Sequence, residues 1–464
     1  MLASSLVFSA SPVAAASPVA AAGPKVAATS PVTAVGPKVA ATSPVAAATS
    51  PVAVAGPKVA AASRVATAGP KVAASGPTVA AGPKVGAVAA QDAPAAGACS
   101  TDVRVSATAR TDDALTSAFT RYGNNGAGFD HWSGGDSTYS ARLSGGRIAW
   151  IFSDTFLGSA AADGSRPRSS PFINNSIVVQ QPVVQQPAAQ QPSATGSTGI
   201  RLRTVHGGTP NRPEAILPPS TNNSWYWFGA AQPSDDGRTL SVIALRFERF
   251  GPGYWDWRWA SNHLLRLDTT RWTAEPLRDL PSAANVQWSA WLQPAGDDLL
   301  VYGVEDLGAE KYLHLAKVPG GDLTAVDRWQ YWTGTGWSGS EKQSARILDH
   351  VANEMSVTPW RGGYLAVTQD TAVPFDNAVR GYFSCRPEGP FTDLGVLYRM
   401  PETGPNGSYR DPNVFGYNAH IHPDLSTGDE LLLTYNVNSL SESQLYADVS
   451  IYRPRFVRLN LQLG

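Results

Sequence analysis

Short hydrophobic runs, each entered through a polar, charged or glycine residue, recur five times in the C-terminal three quarters of the sequence. The runs have the length of β-strands, and residues typical of turns separate them. No stretch carries the periodicity of a long amphipathic helix. The chain is therefore predicted to be all-β. The five runs are Arg147-Ile-Ala-Trp-Ile-Phe, Ser224-Trp-Tyr-Trp-Phe, Asp298-Leu-Leu-Val-Tyr, Gly363-Tyr-Leu-Ala-Val and Glu430-Leu-Leu-Leu-Thr-Tyr.

The strand-like segments fall into five groups of about 70 residues each, a period typical of radial β-repeats. This repetition predicts a five-bladed β-propeller over residues 97–464, and a β-sandwich is the alternative. An early strand through Val103 and Val105 is predicted to complete the last blade. A short helix is predicted after it, with Asp112 as its N-cap. The five groups span residues 139–180, 215–250, 263–318, 328–385 and 395–461.

The first 95 residues differ from the rest because they are built almost entirely from Ala, Pro, Val, Gly, Ser, Thr and Lys. The tetrapeptide Gly-Pro-Lys-Val recurs five times there, first at Gly23, and no aromatic residue lies between Phe8 and Phe119. Such a segment cannot bury a core and is predicted to be a disordered tail. The first 16 residues are at best a degenerate export signal. A second low-complexity segment, the Gln/Pro-rich stretch 180–199, is predicted to be a loop insertion.

Charge separates the tail from the body. Residues 1–90 carry five lysines, Arg64 and no acidic residue, so the remaining 30 basic and 37 acidic residues give the body a net charge of −7. A basic tail could rest on an anionic cell envelope, or it could serve only as a soluble spacer. The acidic body disfavours nucleic-acid binding, and no apolar run is long enough to predict a transmembrane span. An extracellular or envelope-associated monomer is expected.

The two cysteines, Cys99 and Cys385, stand at the start of the predicted domain and late within it. In an exported protein they could form one disulfide, and two buried thiols are the alternative.

Two aspartates flank a hairpin in the first group. Asp136 follows Trp132-Ser-Gly-Gly, Asp154 follows the hydrophobic run, and a Ser-Gly-Gly turn at 144–146 joins the two strands. A hairpin returns its two ends to one edge of a sheet, so the carboxylates are predicted to be neighbours. A pair of carboxyl groups is what glycoside hydrolysis requires, one as proton donor and one as nucleophile or base. Each aspartate could instead be an ordinary turn residue.

Polar residues that enter the innermost strands of a propeller converge at one mouth. Glu354 is predicted to reach this mouth as a third catalytic carboxylate or as a group that tunes the pKa of a partner. The residues predicted to contact substrate there are Trp132, Asn174, Asn175, Glu214, His420, His422 and Asn436. Packing beneath a blade is the alternative for Trp132, and turn formation is the alternative for the three asparagines.

His420 and His422 have the spacing that places two side chains on one face of a strand. We expect hydrogen bonds to substrate or to the core rather than metal binding, since no third ligand with metal spacing is evident. No cofactor is predicted, although the sequence does not exclude a cation bound in the axial channel. The sequence has no Gly-x-Ser-x-Gly elbow, phosphate loop or zinc pattern.

Several of these motifs together resemble a known family. They are Trp132-Ser-Gly-Gly-Asp-Ser-Thr-Tyr-Ser, Ile151-Phe-Ser-Asp-Thr-Phe-Leu-Gly, Asn174-Asn-Ser-Ile-Val-Val-Gln, Tyr417-Asn-Ala-His-Ile-His-Pro-Asp-Leu-Ser, Leu433-Thr-Tyr-Asn-Val-Asn and Tyr452-Arg-Pro-Arg-Phe. Over residues 129–461 the chain resembles secreted actinobacterial five-bladed propellers catalogued as domains of unknown function. Related propellers include endo-D-arabinanases that act on mycobacterial cell-wall arabinan. The resemblance implies that Asp136 and Asp154 match the two first-blade aspartates implicated in catalysis there.

The sequence thus predicts a secreted glycoside hydrolase that cleaves a cell-wall or environmental polysaccharide, with arabinan as one candidate. The alternative is a non-catalytic propeller that binds carbohydrate or the cell envelope.

Overall fold

A computed structural model describes residues 99–126, 128–182, 199–253 and 256–464. In these residues the fold is all-β, with five antiparallel sheets of four or more strands and two smaller sheets. The predicted disordered tail, residues 1–95, lies outside the described residues, as does most of the Gln/Pro-rich insertion. No helix in the described part of the chain is both long and apolar enough to cross a bilayer.

The first large sheet has four strands in the order β3-β4-β7-β8. A three-stranded sheet in the order β2-β5-β6 continues from it, and a separate hairpin follows it. The strands of these three sheets are β2 (Trp132–Gly135), β3 (Tyr139–Arg142), β4 (Ile148–Phe152), β5 (Thr155–Leu157), β6 (Phe172–Ile173), β7 (Ser176–Gln181), β8 (Arg201–Val205), β9 (Gly207–Thr209) and β10 (Arg212–Glu214).

The second and third large sheets are also built from strands that are consecutive in the chain. The second has the order β11-β12-β13-β14, and the third has the order β15-β16-β17-β18-β19 with β20 paired to β17. Their strands are β11 (Ser224–Pro233), β12 (Thr239–Arg249), β13 (Trp257–Asp268), β14 (Arg278–Asp279), β15 (Val286–Ala295), β16 (Asp298–Asp306), β17 (Lys311–Val318), β18 (Gln330–Trp332), β19 (Trp337–Ser338) and β20 (Leu348–Asp349).

The fourth sheet has the order β21-β22-β23-β24, and the fifth has the order β25-β26-β27-β1. The outer strand of the fifth sheet thus comes from the start of the domain, as predicted from Val105. The strands are β1 (Val105–Thr111), β21 (Ser356–Trp360), β22 (Gly363–Gln369), β23 (Ala378–Ser384), β24 (Thr392–Arg399), β25 (Val414–Ile421), β26 (Glu430–Ser439) and β27 (Pro454–Leu463).

The described part of the chain includes two α-helices, α1 (Asp113–Asn124) and α2 (Glu442–Ala447). The side chain of Asp112 accepts a hydrogen bond from the backbone N–H of Leu115 at 2.9 Å, which confirms the predicted N-cap. Leu115 and Phe119 on α1 pack against Trp132 and Trp150, so the helix covers one face of the first sheet.

The structure corrects the predicted grouping of strands at the outer edge of each sheet. β13 completes the second sheet rather than opening the third, and β18 belongs to the third sheet rather than the fourth. β24 completes the fourth sheet, although its residues were assigned to the fifth group. Residues 215–217 form no strand, whereas β8 was not predicted at all.

The first strands of the five sheets contact one another in series. β11 contacts β3 and β15, and β21 contacts β15 and β25. The series closes because Tyr139 on β3 stacks on His420 of β25 with ring centroids 4.5 Å apart. Hydrophobic side chains fill the spaces between sheets, including the fully buried Trp150, Trp288 and Tyr302.

Candidate carboxylate site

Asp136 and Asp154 lie side by side, as predicted, but within the hairpin rather than at its end. β2 and β3 flank Asp136 on one arm, and β4 and β5 flank Asp154 on the other. The backbone N–H of Asp136 donates to the carbonyl of Asp154 at 3.2 Å, and that of Ser153 donates to the carbonyl of Asp136 at 3.1 Å. The hairpin therefore continues past both aspartates and fixes them as direct neighbours.

Asp136 is fully buried, and its two carboxyl oxygens have different surroundings. Oδ2 accepts hydrogen bonds from the hydroxyls of Tyr417 and Tyr452, each at 2.7 Å. Oδ1 is buried without a hydrogen-bond partner. Burial, and then the charge of Asp154, raise the pKa of Asp136 well above its ordinary value, although the two tyrosines act against this. This environment favours the protonated form of Asp136.

Asp154 is also buried, but it receives two nitrogen donors. Its Oδ1 accepts from Asn174 Nδ2 at 2.8 Å and from Trp227 Nε1 at 2.7 Å. Burial raises the pKa of Asp154 to about 7, while these two hydrogen bonds lower it. The pKa of each aspartate is thus raised, but hydroxyl groups donate to Asp136 and N–H groups donate to Asp154.

Glu354 lies beside this pair, as predicted, and is 8% exposed. It precedes β21 on the fourth sheet and accepts a hydrogen bond from Ser137 Oγ at 3.4 Å. With its side-chain amide turned to the orientation that satisfies its neighbours, Asn418 donates to the second carboxyl oxygen of Glu354 at 2.6 Å. The charge of Glu354 also contributes to the raised pKa of Asp136. Side chains from the first, fourth and fifth sheets thus converge on one acidic cluster, which we define as Asp136, Asp154 and Glu354.

The backbone after Asp136 adopts a conformation that non-glycine residues rarely adopt. Ser137 and Thr138 have φ angles of 66° and 61°. Asn436 holds this segment, since its Nδ2 donates to the carbonyl of Gly135 at 3.1 Å and to Thr138 Oγ1 at 2.8 Å. Consecutive left-handed residues cost free energy and tend to occur at functional sites. Asn436, predicted to contact substrate, supports the loop that presents Asp136, and its Oδ1 is buried without a partner.

His420 and His422 lie on the same side of β25, as predicted, with ring centroids 4.8 Å apart. Both ring nitrogens of His422 are engaged, with Ser140 Oγ and Thr434 Oγ1, each at 2.7 Å. His420 Nδ1 lies 2.9 Å from the carbonyl of Asn418, and its Nε2 has no partner. Burial lowers the pKa of His420 to about 4 and that of His422 well below its ordinary value, so both are neutral. His422 is thus a core contact, one of the two roles predicted for it.

Three predicted substrate contacts occupy other positions. Trp132 is 0% exposed and packs on Phe119 and Phe152, so the prediction of a sugar-stacking surface is wrong in this structure. The buried Asn175 donates through Nδ2 to the carbonyls of Leu217 and Tyr226, and its Oδ1 accepts from the backbone N–H of Leu217. It therefore holds the segment before β11 in place.

Glu214 lies on the β9-β10 hairpin, with its side chain 52% exposed and paired with Arg212 at 3.7 Å. None of its described contacts joins it to the acidic cluster. Asn174, by contrast, contacts Asp154 and therefore belongs to the site.

The sequence did not predict three side chains that contact the aspartates, namely Tyr417, Tyr452 and Trp227. Tyr417 and Tyr452 are more than 280 positions from Asp136, so only the assembled fold brings them there. Trp227 had a weak signal, since it alternates with Trp225 on β11 while Tyr226 and Phe228 point to the opposite face.

Within the described residues, no three His, Cys, Asp or Glu side chains are grouped closely enough to hold a metal ion. The site is thus a buried cluster of carboxyl groups whose hydrogen-bond donors are tyrosine, tryptophan, asparagine and serine side chains.

The fold and the site together define a class of protein: an all-β protein with a buried carboxylate cluster. The family model "Domain of unknown function (DUF5005)" matches residues 116–461, so the chain belongs to the DUF5005 family. No curated protein matches the sequence.

Solved structures give a second comparison. A candidate hydrolase from Bacteroides ovatus is 19% identical with a TM-score of 0.59, over 77% of this chain and 94% of that one. An α-L-arabinofuranosidase from Podospora anserina is 10% identical with a TM-score of 0.39, over 73% and 93%. Bacillus subtilis levansucrase is 10% identical with a TM-score of 0.39, over 71% and 84%. The Bacteroides structure shows a shared fold, and the other two resemblances are too distant to define a substrate.

Proposed function

We propose that this protein is a secreted glycoside hydrolase whose five large sheets are the blades of a β-propeller. The contacts in series between the first strands, closed by Tyr139 and His420, support a ring of blades. The observation that carries the function is the pair of adjacent buried carboxyl groups, one hydrogen-bonded by tyrosine hydroxyls and the other by N–H donors.

The two aspartates take different roles in this proposal. Asp136 is the proton donor, because burial and the neighbouring charges raise its pKa and its Oδ1 has no hydrogen-bond partner inside the protein. Asp154 is the nucleophile or base, because two N–H donors stabilise its charge and its pKa of about 7 leaves it partly ionised. Glu354 keeps the proton on Asp136 through its charge.

A polysaccharide is the proposed substrate, and arabinan is the first to test because of the first-blade aspartates that the sequence shares with arabinan-cleaving propellers. Aromatic side chains near Asp154 offer stacking surfaces for sugar rings. Trp227, which bonds Asp154, packs with Trp225, Phe247 and Trp257, and Trp259 lies against this cluster. Trp225 and Trp259 are only partly buried.

Export is supported by the disulfide between Cys99 and Cys385, since such bonds persist in oxidising compartments. We further propose that the basic residues of the N-terminal tail rest on an anionic envelope. The enzyme is proposed to act as a monomer without a cofactor.

The test is release of reducing ends from a panel of cell-wall glycans. Asp136→Asn and Asp154→Asn are each expected to reduce the rate by about 10²-fold or more, the contribution typical of acid–base catalysis. Both variants should fold, because an asparagine oxygen can accept the same hydrogen bonds at Oδ2 of Asp136 and Oδ1 of Asp154. Glu214→Gln is the matched control and should keep full activity, since Glu214 lies apart from the cluster. Activity retained in both aspartate variants would contradict the assignment.

A non-catalytic carbohydrate-binding protein is the second candidate. The near-complete burial of Asp136 and Asp154, 0% and 2% exposed, favours it because catalysis requires contact with substrate. Binding of a glycan without any new reducing ends would establish this function and refute hydrolysis.

A further inference from the structure

Two arginines are buried behind the segment that carries Asp136. Arg166 is 3% exposed and Arg453 is 5% exposed. The guanidinium of Arg453 donates through Nε to the carbonyl of Ser133 at 2.8 Å and through Nη1 to Asn124 Oδ1 at 2.9 Å. Arg166 donates through Nη1 to the carbonyl of Leu445 and lies 3.9 Å from the centre of the Phe156 ring. Every one of these partners is neutral.

Three donor atoms of this pair remain without a partner. They are Nε and Nη2 of Arg166 and Nη2 of Arg453, and all three are buried. Among the residues that the structure describes, no carboxylate forms an ion pair with either guanidinium. A buried cation that lacks both a counter-charge and its hydrogen bonds is costly, and arginine cannot readily give up its proton.

Neighbouring cations add to the cost of burying both arginines. Burial, and then the charge of Arg453, lower the pKa of Arg166 to about 9, whereas burial, and then the charge of Arg455, lower the pKa of Arg453 to about 10. Asp448 favours the charged form of both arginines, but its carboxylate bonds the backbone N–H of Ser450 instead.

Glycines make room for both guanidinium groups. A Cβ atom at Gly134 would lie 2.9 Å from Arg166 Nη2, and one at Gly123 would lie 2.8 Å from Arg453 Nη2. Either side chain would displace the neighbouring arginine. The unpartnered ends of the two arginines thus lie where the chain carries the smallest residues.

We propose that Arg166 and Arg453 bind a small inorganic monovalent anion, such as chloride, through their free N–H groups. The anion supplies the missing counter-charge and accepts charge-assisted hydrogen bonds. The proposal is independent of hydrolytic activity, because it concerns the interior behind the acidic cluster.

The first experiment is thermal unfolding of the full chain at constant ionic strength, with sodium gluconate replaced stepwise by sodium chloride or bromide. Gluconate is too large for a buried site, whereas a bound halide stabilises the folded state by mass action. We expect a saturable rise in Tm of roughly 2–4 °C. Equal Tm values in the three salts would overturn the proposal.

Arg166→Lys removes the free Nε and Nη2 donors but keeps the charge, and it should abolish the halide-dependent rise. Arg110→Lys is the control, because Arg110 is 63% exposed and pairs with Glu430 at 3.2 Å. This control should keep the rise. If Arg166→Lys does not fold, bromide diffusion into wild-type crystals replaces it. An anomalous peak beside both Nη2 atoms supports the site, whereas a water molecule without anomalous signal refutes it.

Discussion

The two carboxyl oxygens of Asp136 lie in different environments, which are formed by residues distant in the sequence. Tyrosine hydroxyls from the fifth sheet and from the residue before Arg453 occupy Oδ2, so a proton on Asp136 is confined to Oδ1. Asp154 is hydrogen-bonded to Asp136 through the backbone, and its side chain accepts hydrogen bonds from two nitrogen donors. Burial raises the pKa of both aspartates, but their neighbours give the two carboxyl groups different hydrogen-bond donors.

The pH dependence of catalysis should report on Asp154. Its base role requires the ionised form, so activity should fall as the pH drops below about 7. Trp227→Phe removes a donor that lowers the pKa of Asp154, and the acidic limb of the pH–rate profile should therefore move upward. The shift is measured from kcat/KM between pH 4 and pH 9. Trp257→Phe, which alters the same aromatic cluster, is the control and should leave the limb in place. If the acidic limb of the pH–rate profile is unchanged in Trp227→Phe, Asp154 is not the catalytic base.

The free energy of unfolding should also depend on the ionisation of Asp154. It should fall as the pH rises, whereas the activity should increase. The folded-state pKa of Asp154 is raised, so the folded state binds the proton more tightly than the unfolded chain does. Its contribution to stability is complete below about pH 4 and is lost as the pH rises to about 7. Relative to Asp154→Asn, the wild type should lose at most about 4 kcal/mol over this interval. Urea unfolding at several pH values measures the difference, and a difference that does not change with pH would contradict the raised pKa.

The sequence predicted the acidic residues of the site better than the groups that surround them. Asp136, Asp154 and Glu354 precede or follow hydrophobic runs, and this position alone indicated that they would meet. Trp132 illustrates the limit, because an aromatic residue beside a glycine turn has the same local pattern whether it faces solvent or the core. Tyr452 carried no local signal, since its contact with Asp136 depends on the closure of the fifth sheet.

At the scale of elements, the second strands of the sheets were easier to predict than the outermost strands. β4, β16, β22 and β26 are long hydrophobic runs, because both of their faces are covered by neighbouring sheets. The outer strands β8 and β24 consist mostly of exposed and half-buried residues, so their composition resembles that of loops. The outer strands were consequently assigned to the following group or missed, although the number of groups matched the number of large sheets.

The hairpin of β2, β3, β4 and β5 shows how an element departs from a local rule at the site. A regular ladder would run from Trp132 to the turn at 144–146 without interruption. The left-handed Ser137 and Thr138 break it instead, and neither residue type favours that conformation. The sequence had no signal for this distortion because no glycine marks it.

For the whole molecule, the disulfide between Cys99 and Cys385 joins two sheets. Cys99 precedes β1 of the fifth sheet, and Cys385 follows β23 of the fourth, with 286 positions between the two cysteines. The double variant Cys99→Ser/Cys385→Ser should lose about 2–5 kcal/mol of unfolding free energy, because a long closed loop restricts the unfolded chain. Denaturant unfolding measures the loss. A reductant should destabilise the wild type but not the variant, and equal responses would show that no such bond forms.

The pairing of β1 with β27 determines when the fifth sheet can be completed during synthesis. Thr111 and Pro454 are 343 positions apart, so the edge of β1 that faces β27 stays unpaired until β27 has been made. The other four large sheets can form in order as the chain emerges, whereas the fifth waits for its second partner strand. Folding therefore has a late, non-local step, and the period before it is when the protein is most exposed to misassembly.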